Sequence, residues 1–264
     1  MSDITNRGES APAARRELDA FLADLKKKAP STRGRLLFAL DATAGREATW
    51  DTACKLQADM FREAASAGGL DLQLVYYRGL GECKASGWIS DPLRLGKVMS
   101  GIMCRSGHTQ TGRILDHAVK ETRMLPVSAL VFVGDAFEEE ADTVVPAAYE
   151  LGRLAGCGKT EQGSRSDSDP FTWGFGYVHG QNEFFRSLLG VRVFMFQEGD
   201  NREVERVFRQ IADATKGAYC RFDQGSAHQL AKLLRAVAVY ASGGKAALAA
   251  RKDPESVKLL SQMR

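Results

Sequence analysis

The segment that most constrains the fold is RLLFALDATAG, residues 35–45, in which an apolar run ends abruptly on Asp41. A short apolar run bounded by small and hydroxyl residues is typical of a buried strand. In an open α/β sheet, ligands bind at the carboxyl ends of the strands, where loops and helix N-termini converge. The segment therefore predicts a strand over 35–41 that places Asp41 at the functional edge of a sheet.

The rest of the chain alternates apolar strands with amphipathic helices. Further buried strands are predicted over 70–77, 129–133, 191–196 and 218–222, and 85–90 is predicted as a short edge strand running back beside the second strand. Residues 137–155 are predicted to be helical, with an acidic run from Glu138 in the first turn, where the helix dipole favours negative charge. Strands alternating with helices predict an α/β fold with a parallel sheet covered on both faces.

Several segments flank or interrupt this core. We predict a disordered lead over 1–11, an N-terminal amphipathic helix over 12–30, and a C-terminal tail of poorly determined structure over 242–264, after a Ser-Gly-Gly hinge. Residues 156–189 are an insertion, because they are far longer than an ordinary helix-to-strand connection. The insertion is expected at the sheet edge opposite Asp41, either as a variable loop or, given its alternating aromatic residues, as a second protein-docking surface.

Composition excludes several classes of function. The chain has 36 Lys and Arg against 33 Asp and Glu, a net charge of +3, with no basic run interleaved with aromatic residues, so we expect no nucleic-acid partner. Five scattered cysteines with no CxxC pair argue against disulfides and structural zinc and favour a cytoplasmic location. We expect neither a signal peptide nor a membrane span of about 20 apolar residues.

Three polar segments are predicted to reach the same sheet edge. They contribute Asp41 with Thr43, Thr109, and Asp135, which ends the most hydrophobic strand. Carboxylate and hydroxyl oxygens suit Mg²⁺, Mn²⁺ or Ca²⁺ and not zinc or copper. Alternatively, these residues are only helix caps and turn formers.

The same three segments resemble the metal-ion-dependent adhesion site of von Willebrand factor type A (VWA) domains. DATAG at 41–45 resembles the DxSxS motif, GHTQTG at 107–112 the threonine loop, and VFVGD at 131–135 the strand ending on the second aspartate. The similarity covers roughly 35–241 apart from the insertion. It implies a Rossmann-like three-layer α/β/α fold, whose mostly parallel six-stranded sheet has one antiparallel edge strand near Trp88. It also implies a protein-binding role that depends on a cation and involves no catalysis.

The resemblance assigns the cation site to Asp41, Thr43, Thr109 and Asp135. Gly45 stands where the family has a second serine, so the chain lacks one side-chain ligand there. Binding of Mg²⁺ or Mn²⁺, or of Ca²⁺, is therefore expected to be weak or absent. The alternative is a metal-independent scaffold or adaptor with a vestigial site.

The resemblance also implies a partner carboxylate at the cation. Charged residues expected around that position are Arg46, Arg78, Glu82, His108 and Glu138, although each could equally be a solvated loop residue. Bacterial intracellular members of the family often work beside MoxR-type AAA+ ATPases or in stress-response and assembly systems. The expected partner is therefore a protein of that kind.

Enzymatic hypotheses receive little support from the sequence. Asp41 could be the phosphoryl-accepting nucleophile of a Mg²⁺-dependent phosphotransferase, but haloacid-dehalogenase-like phosphatases need an Asp where Thr43 stands. GCGKT at 156–160 resembles the end of a P-loop, but the first required glycine falls on Arg153. No GxSxG elbow is present, so we predict that the chain is not an enzyme.

Overall fold

A computed structural model describes residues 33–65, 67–154, 191–223 and 226–263 of the 264-residue chain. The predicted lead at 1–11, helix at 12–30 and insertion at 156–189 lie outside the described residues. The elements, in chain order, are β1 Gly34–Asp41, α1 Glu47–Ala65, β2 Leu70–Arg78, β3 Glu82–Ala85, α2 Pro92–Ser100, α3 Thr111–Met124, β4 Ala129–Gly134, α4 Ala141–Leu154, β5 Arg192–Glu198, α5 Arg202–Ala214, β6 Ala218–Phe222, α6 Ala227–Ala250 and α7 Pro254–Gln262.

The six strands form one sheet in the order β3-β2-β1-β4-β5-β6. All neighbouring pairs are parallel except β2 and β3, which run antiparallel from Val75 opposite Ala85 to Arg78 opposite Glu82. The architecture confirms the prediction of a Rossmann-like three-layer α/β/α fold with one antiparallel edge strand. Because β1 lies inside the sheet between β2 and β4, its carboxyl end is surrounded by loops on both sides.

The edge strand begins earlier in the chain than predicted. It spans Glu82–Ala85. Beyond Ala85, the predicted segment 85–90 contributes a hydrogen bond from the Ser86 N–H to the Leu74 carbonyl and an isolated antiparallel bridge between Leu72 and Ile89. The physical reason is the tight turn after β2. Gly79 adopts a φ of 61°, in the left-handed region, so the chain reverses within three residues and pairing starts at Glu82.

Both faces of the sheet are buried. Along β1, Leu36, Phe38 and Leu40 point into the core on the side of α1 and α6, whereas Leu37 and Ala39 point into the core that includes residues of α3, α4 and α5. Strands covered on both faces are continuously apolar because every side chain leaves water. Each large buried side chain contributes about 1.5–3 kcal/mol of transfer free energy, which fixes the register that positions Asp41.

The C-terminal region differs from its prediction. Helix α6 continues beyond residue 242 and is broken only by a kink at Gly244, where φ is 69°, and α7 follows. Leu248 and Leu259 are fully buried, and Asp253 caps α7 by accepting the Ser256 N–H at 2.9 Å. The prediction of a tail of poorly determined structure is wrong for residues 242–263. The nine residues of α7 contain too few apolar positions to reveal a helix that packs against β6 and α6.

Among the described residues, no helix combines the length and the apolar character that crossing a membrane requires.

Candidate functional site

Asp41 is held at the carboxyl end of β1 with its side chain only 3% exposed. Its Oδ1 accepts the N–H of Thr43 at 2.7 Å, which closes the turn that leads to α1. Burial raises the pKa of Asp41, partly offset by the bond from Thr43 and by the charge of Arg46. Its Oδ2 is buried and has no hydrogen-bond partner among the described residues.

Arg46 places a positive charge inside this site. The residue is 3% exposed, and its guanidinium forms an ion pair with Glu198 at the end of β5, while Nη1 lies 3.6 Å from Asp135 Oδ2. The Thr49 hydroxyl also donates to Glu198. Arg46 also acts electrostatically on Asp41. One guanidinium therefore interacts with three carboxylates, each at the carboxyl end of a different strand.

The threonine loop is bonded to the loop that follows β4. Thr109 Oγ1 accepts the N–H of Glu138 at 2.8 Å, and Glu138 Oε2 accepts the N–H of Thr109 at 3.1 Å. His108 Nδ1 lies 3.1 Å from the same carboxylate oxygen. These two reciprocal hydrogen bonds hold Thr109 in place. One of the two lone pairs of its hydroxyl oxygen is therefore already occupied.

Asp142 lies in the first turn of α4 as predicted, but Glu139 of the same acidic run caps a different helix. Glu139 accepts the N–H groups of Thr111 at 2.5 Å and Gly112 at 3.0 Å, at the N-terminus of α3, whereas α4 begins only at Ala141. The N-cap residue of α3, Gln110, makes no side-chain capping bond, so these N–H groups need an external acceptor. A carboxylate there also complements the positive end of the helix dipole.

Two residues of the site, Thr111 and Glu198, are not among the candidates predicted from the sequence. Thr111 is 1% exposed, and its hydroxyl has no hydrogen-bond partner among the described residues. Glu198, the partner of Arg46, ends β5 as Asp41 ends β1. The signal that could have found Glu198 is the same one that identified Asp41, an apolar strand that stops on a carboxylate.

The charged residues on β2 and β3 at the rim of the site pair mainly with one another. Arg78 Nη2 and Lys84 Nζ each lie 2.9 Å from Glu82 Oε1, and Arg78 Nη1 donates to the Met103 carbonyl at 2.6 Å. The hydrogen bonds from Arg78 and Lys84 lower the pKa of Glu82 to about 2. Beside them, the side chains of Leu80 and Met103 are 84% and 74% exposed.

The structure therefore brings the predicted residues together in three groups. Asp41, Thr43, Arg46 and Asp135 surround the ends of β1 and β4; His108, Thr109 and Glu138 bond two loops; and Arg78 pairs with Glu82. Within the described ranges, no group of three His, Cys, Asp or Glu side chains is arranged to hold a metal ion. The ligand assignment from the sequence stays a prediction.

No protein-family model matches the sequence, and no curated protein matches it. Solved structures do match this chain. A von Willebrand factor type A protein from Catenulispora acidiphila superimposes with a TM-score of 0.53 at 13% identity, over 80% of this chain and 43% of that one. The D319A mutant of the PilB minor pilin from Streptococcus sanguinis gives 0.51 at 10% identity, over 80% of this chain and 62% of that one.

These similarities, with the sheet order and the polar loops described above, define an α/β protein of the Rossmann-like class. More narrowly, the chain has the von Willebrand factor type A-like fold. It spans less than two thirds of the length of either matched structure. At 10–13% identity the likeness concerns the fold alone.

Proposed function

We propose that the chain is a non-enzymatic protein-interaction domain whose binding surface is the carboxyl-terminal edge of the sheet. The observation that carries the proposal is the pair of exposed apolar side chains at this edge, Leu80 and Met103. Both adjoin Arg78, which ends β2 two residues before Leu80 and donates to the Met103 carbonyl. Exposed apolar side chains that form a contiguous patch rimmed by polar groups mark protein-docking surfaces.

We further infer that this contact does not depend on a metal ion. The donor set of Asp41, Thr43, Thr109 and Asp135 has the oxygen chemistry that Mg²⁺ or Mn²⁺ requires. The guanidinium of Arg46, however, already pairs with Asp135 and Glu198. Two unit charges 4 Å apart interact by about 4 kcal/mol near a protein surface, so the charge of Arg46 offsets part of the attraction that Asp41 and Asp135 exert on a cation.

A second candidate, cation-mediated binding, rests on two of the buried oxygens that lack a hydrogen-bond partner among the described residues. Asp41 Oδ2 and Thr111 Oγ1 make no hydrogen bond among the described residues, and a hard cation would satisfy such atoms. Mg²⁺, Mn²⁺ or Ca²⁺ at Asp41, Thr43, Thr109 and Asp135 could then accept a partner carboxylate. Gly45 supplies no side-chain ligand, so this binding is expected to be weak.

Two observations support the non-enzymatic part of the proposal. Asp41 is too buried to be an accessible phosphoryl-accepting nucleophile, and its Oδ1 is engaged by Thr43. Burial raises the pKa of the Cys54 and Cys104 thiols to about 11, which disfavours the reactive thiolate at neutral pH. The resemblance to bacterial intracellular VWA domains leads us to propose a cytoplasmic protein partner, with a MoxR-type AAA+ ATPase or an assembly or stress-response component as the first candidates.

Site-specific photo-cross-linking in the cells that make the protein tests the proposal. A photoreactive amino acid replaces Leu80 or Met103 at the edge, or Leu93, an exposed apolar residue of α2, as the matched control. We expect discrete cross-linked proteins from positions 80 and 103 and none of them from 93, unchanged by chelator. Identical products from all three positions would contradict the assignment of the edge, and loss of the products with chelator would favour the cation-mediated candidate.

A further inference from the structure

We propose that a groove along β6, at the side of the sheet, binds a short acidic segment of a partner protein. We call it the β6 groove and define it by five exposed basic residues: Arg202, Arg206, Arg209, Arg221 and Lys258. It lies on other elements than Leu80 and Met103, so it is a second surface in addition to the one proposed above.

The groove lies along β6, which is the outermost of the described strands on that side of the sheet. Helix α5 supplies one wall and α7 the other. An open depression of about 650 Å³ lies between α5 and Arg221, and a second of about 180 Å³ extends towards Lys258 and Gln262 of α7. Arg209 and Arg221 line both parts, so the two form one continuous depression.

The charge of this depression is strongly positive. Its lining contains five basic side chains and only two acidic ones, Asp200 and Glu205, which leaves a local charge of +3, as large as that of the whole chain. Glu205 is already paired with Arg209 at 2.7 Å. Within the described part of the chain, the other four basic residues form no ion pair, so their charges are available to an anionic ligand.

The dimensions favour a peptide. Arg202, Arg206 and Arg209 lie on one face of α5. The seven helical steps from the first to the last span about 10 Å, the length of about three residues of extended chain. Guanidinium groups bind carboxylates through paired hydrogen bonds, which gives such a row its preference for Asp and Glu side chains.

Other modes of binding fit the groove less well. Single-stranded nucleic acid needs an open aromatic face for stacking, but the Tyr219 ring is covered by the Arg209 guanidinium, 4.4 Å from its centroid. Addition of a strand to β6 is hindered because Gln262 Oε1 already accepts the Tyr219 N–H at 3.0 Å. We therefore assign recognition to the arginine side chains.

Fluorescence anisotropy with the full chain tests the proposal. The probe is fluorescein-labelled hexaglutamate, with labelled hexaglutamine as its neutral control, in 150 mM NaCl. The double variant Arg206→Gln/Arg221→Gln is compared with Arg94→Gln/Lys97→Gln, which removes the same charge from exposed positions on α2. We expect the groove variant to raise the Kd for hexaglutamate at least about fivefold and the control variant less than about twofold.

Three outcomes would overturn the proposal. The first is equal binding of hexaglutamate and hexaglutamine, and the second is an equal loss of affinity in the two double variants. The third is tighter binding of an octathymidine oligonucleotide than of hexaglutamate through the same arginines, which would assign the groove to nucleic acid. Thermal melting of each variant confirms folding, and Arg206→Lys/Arg221→Lys, which retains both charges, should recover most of the affinity.

Discussion

The carboxyl-terminal edge and the β6 groove both contain arginines, but they use them differently. At the edge, Arg46 is buried and paired with Glu198 and Asp135. In the groove, Arg206 and Arg221 are exposed and form no ion pair with another described residue. Removing a charge from water costs several kcal/mol, so a buried arginine must be paired with a carboxylate. Its role is then to hold the surrounding elements together. An exposed arginine stays hydrated and keeps its capacity to bind a partner.

The largest expected effect follows from breaking the buried pair. Arg46→Ala leaves Glu198 buried without its guanidinium and should lower the free energy of unfolding by about 3–5 kcal/mol. The matched change in the groove, Arg206→Ala, should alter the free energy of unfolding by less than about 0.5 kcal/mol, because this substitution removes only a solvated side chain. Urea denaturation measures both values. Similar losses in the two variants would show that the regions do not differ as described.

A smaller effect is expected where Glu139 caps α3. Glu139→Ala removes the acceptor for two helix N–H groups and should destabilise the protein by about 1–2 kcal/mol. Glu140→Ala, at the exposed neighbouring position, removes the same charge without a capping bond and serves as the control. If the two variants unfold at the same urea concentration, the acidic run does not cap α3.

The smallest effect concerns the titration of Asp41. Burial raises its pKa in the folded protein above 3.8, so folding favours the protonated form. That contribution to stability is present at low pH and is lost as the pH rises through the raised pKa. Asp41→Asn, which has no proton to lose, should therefore gain in stability relative to the native protein between pH 4 and pH 7. Urea midpoints at several pH values test this, with the exposed Asp116→Asn as control, and a relative loss over this range would contradict it.

The fold was predictable because its signals are local. The apolar run that ends on Asp41, and the alternation of such runs with amphipathic helices, are properties of neighbouring residues and led to the correct sheet. The pairing of Arg46 with Glu198 joins positions 152 residues apart, and no periodicity reveals it. Glu139 was assigned to the wrong helix for the same reason, since α3 is its neighbour in space and α4 its neighbour in sequence.

The central claim, that Arg46 makes the carboxyl-terminal edge independent of metal, is tested most directly by calorimetry. Mg²⁺, Mn²⁺ and Ca²⁺ are titrated into chelator-treated native protein and into Asp41→Ala/Asp135→Ala. We predict no saturable binding to either protein below about 1 mM, weaker than functional protein sites for these cations. Saturable micromolar binding to the native protein that the double variant loses would contradict the claim and establish a cation site beside Arg46.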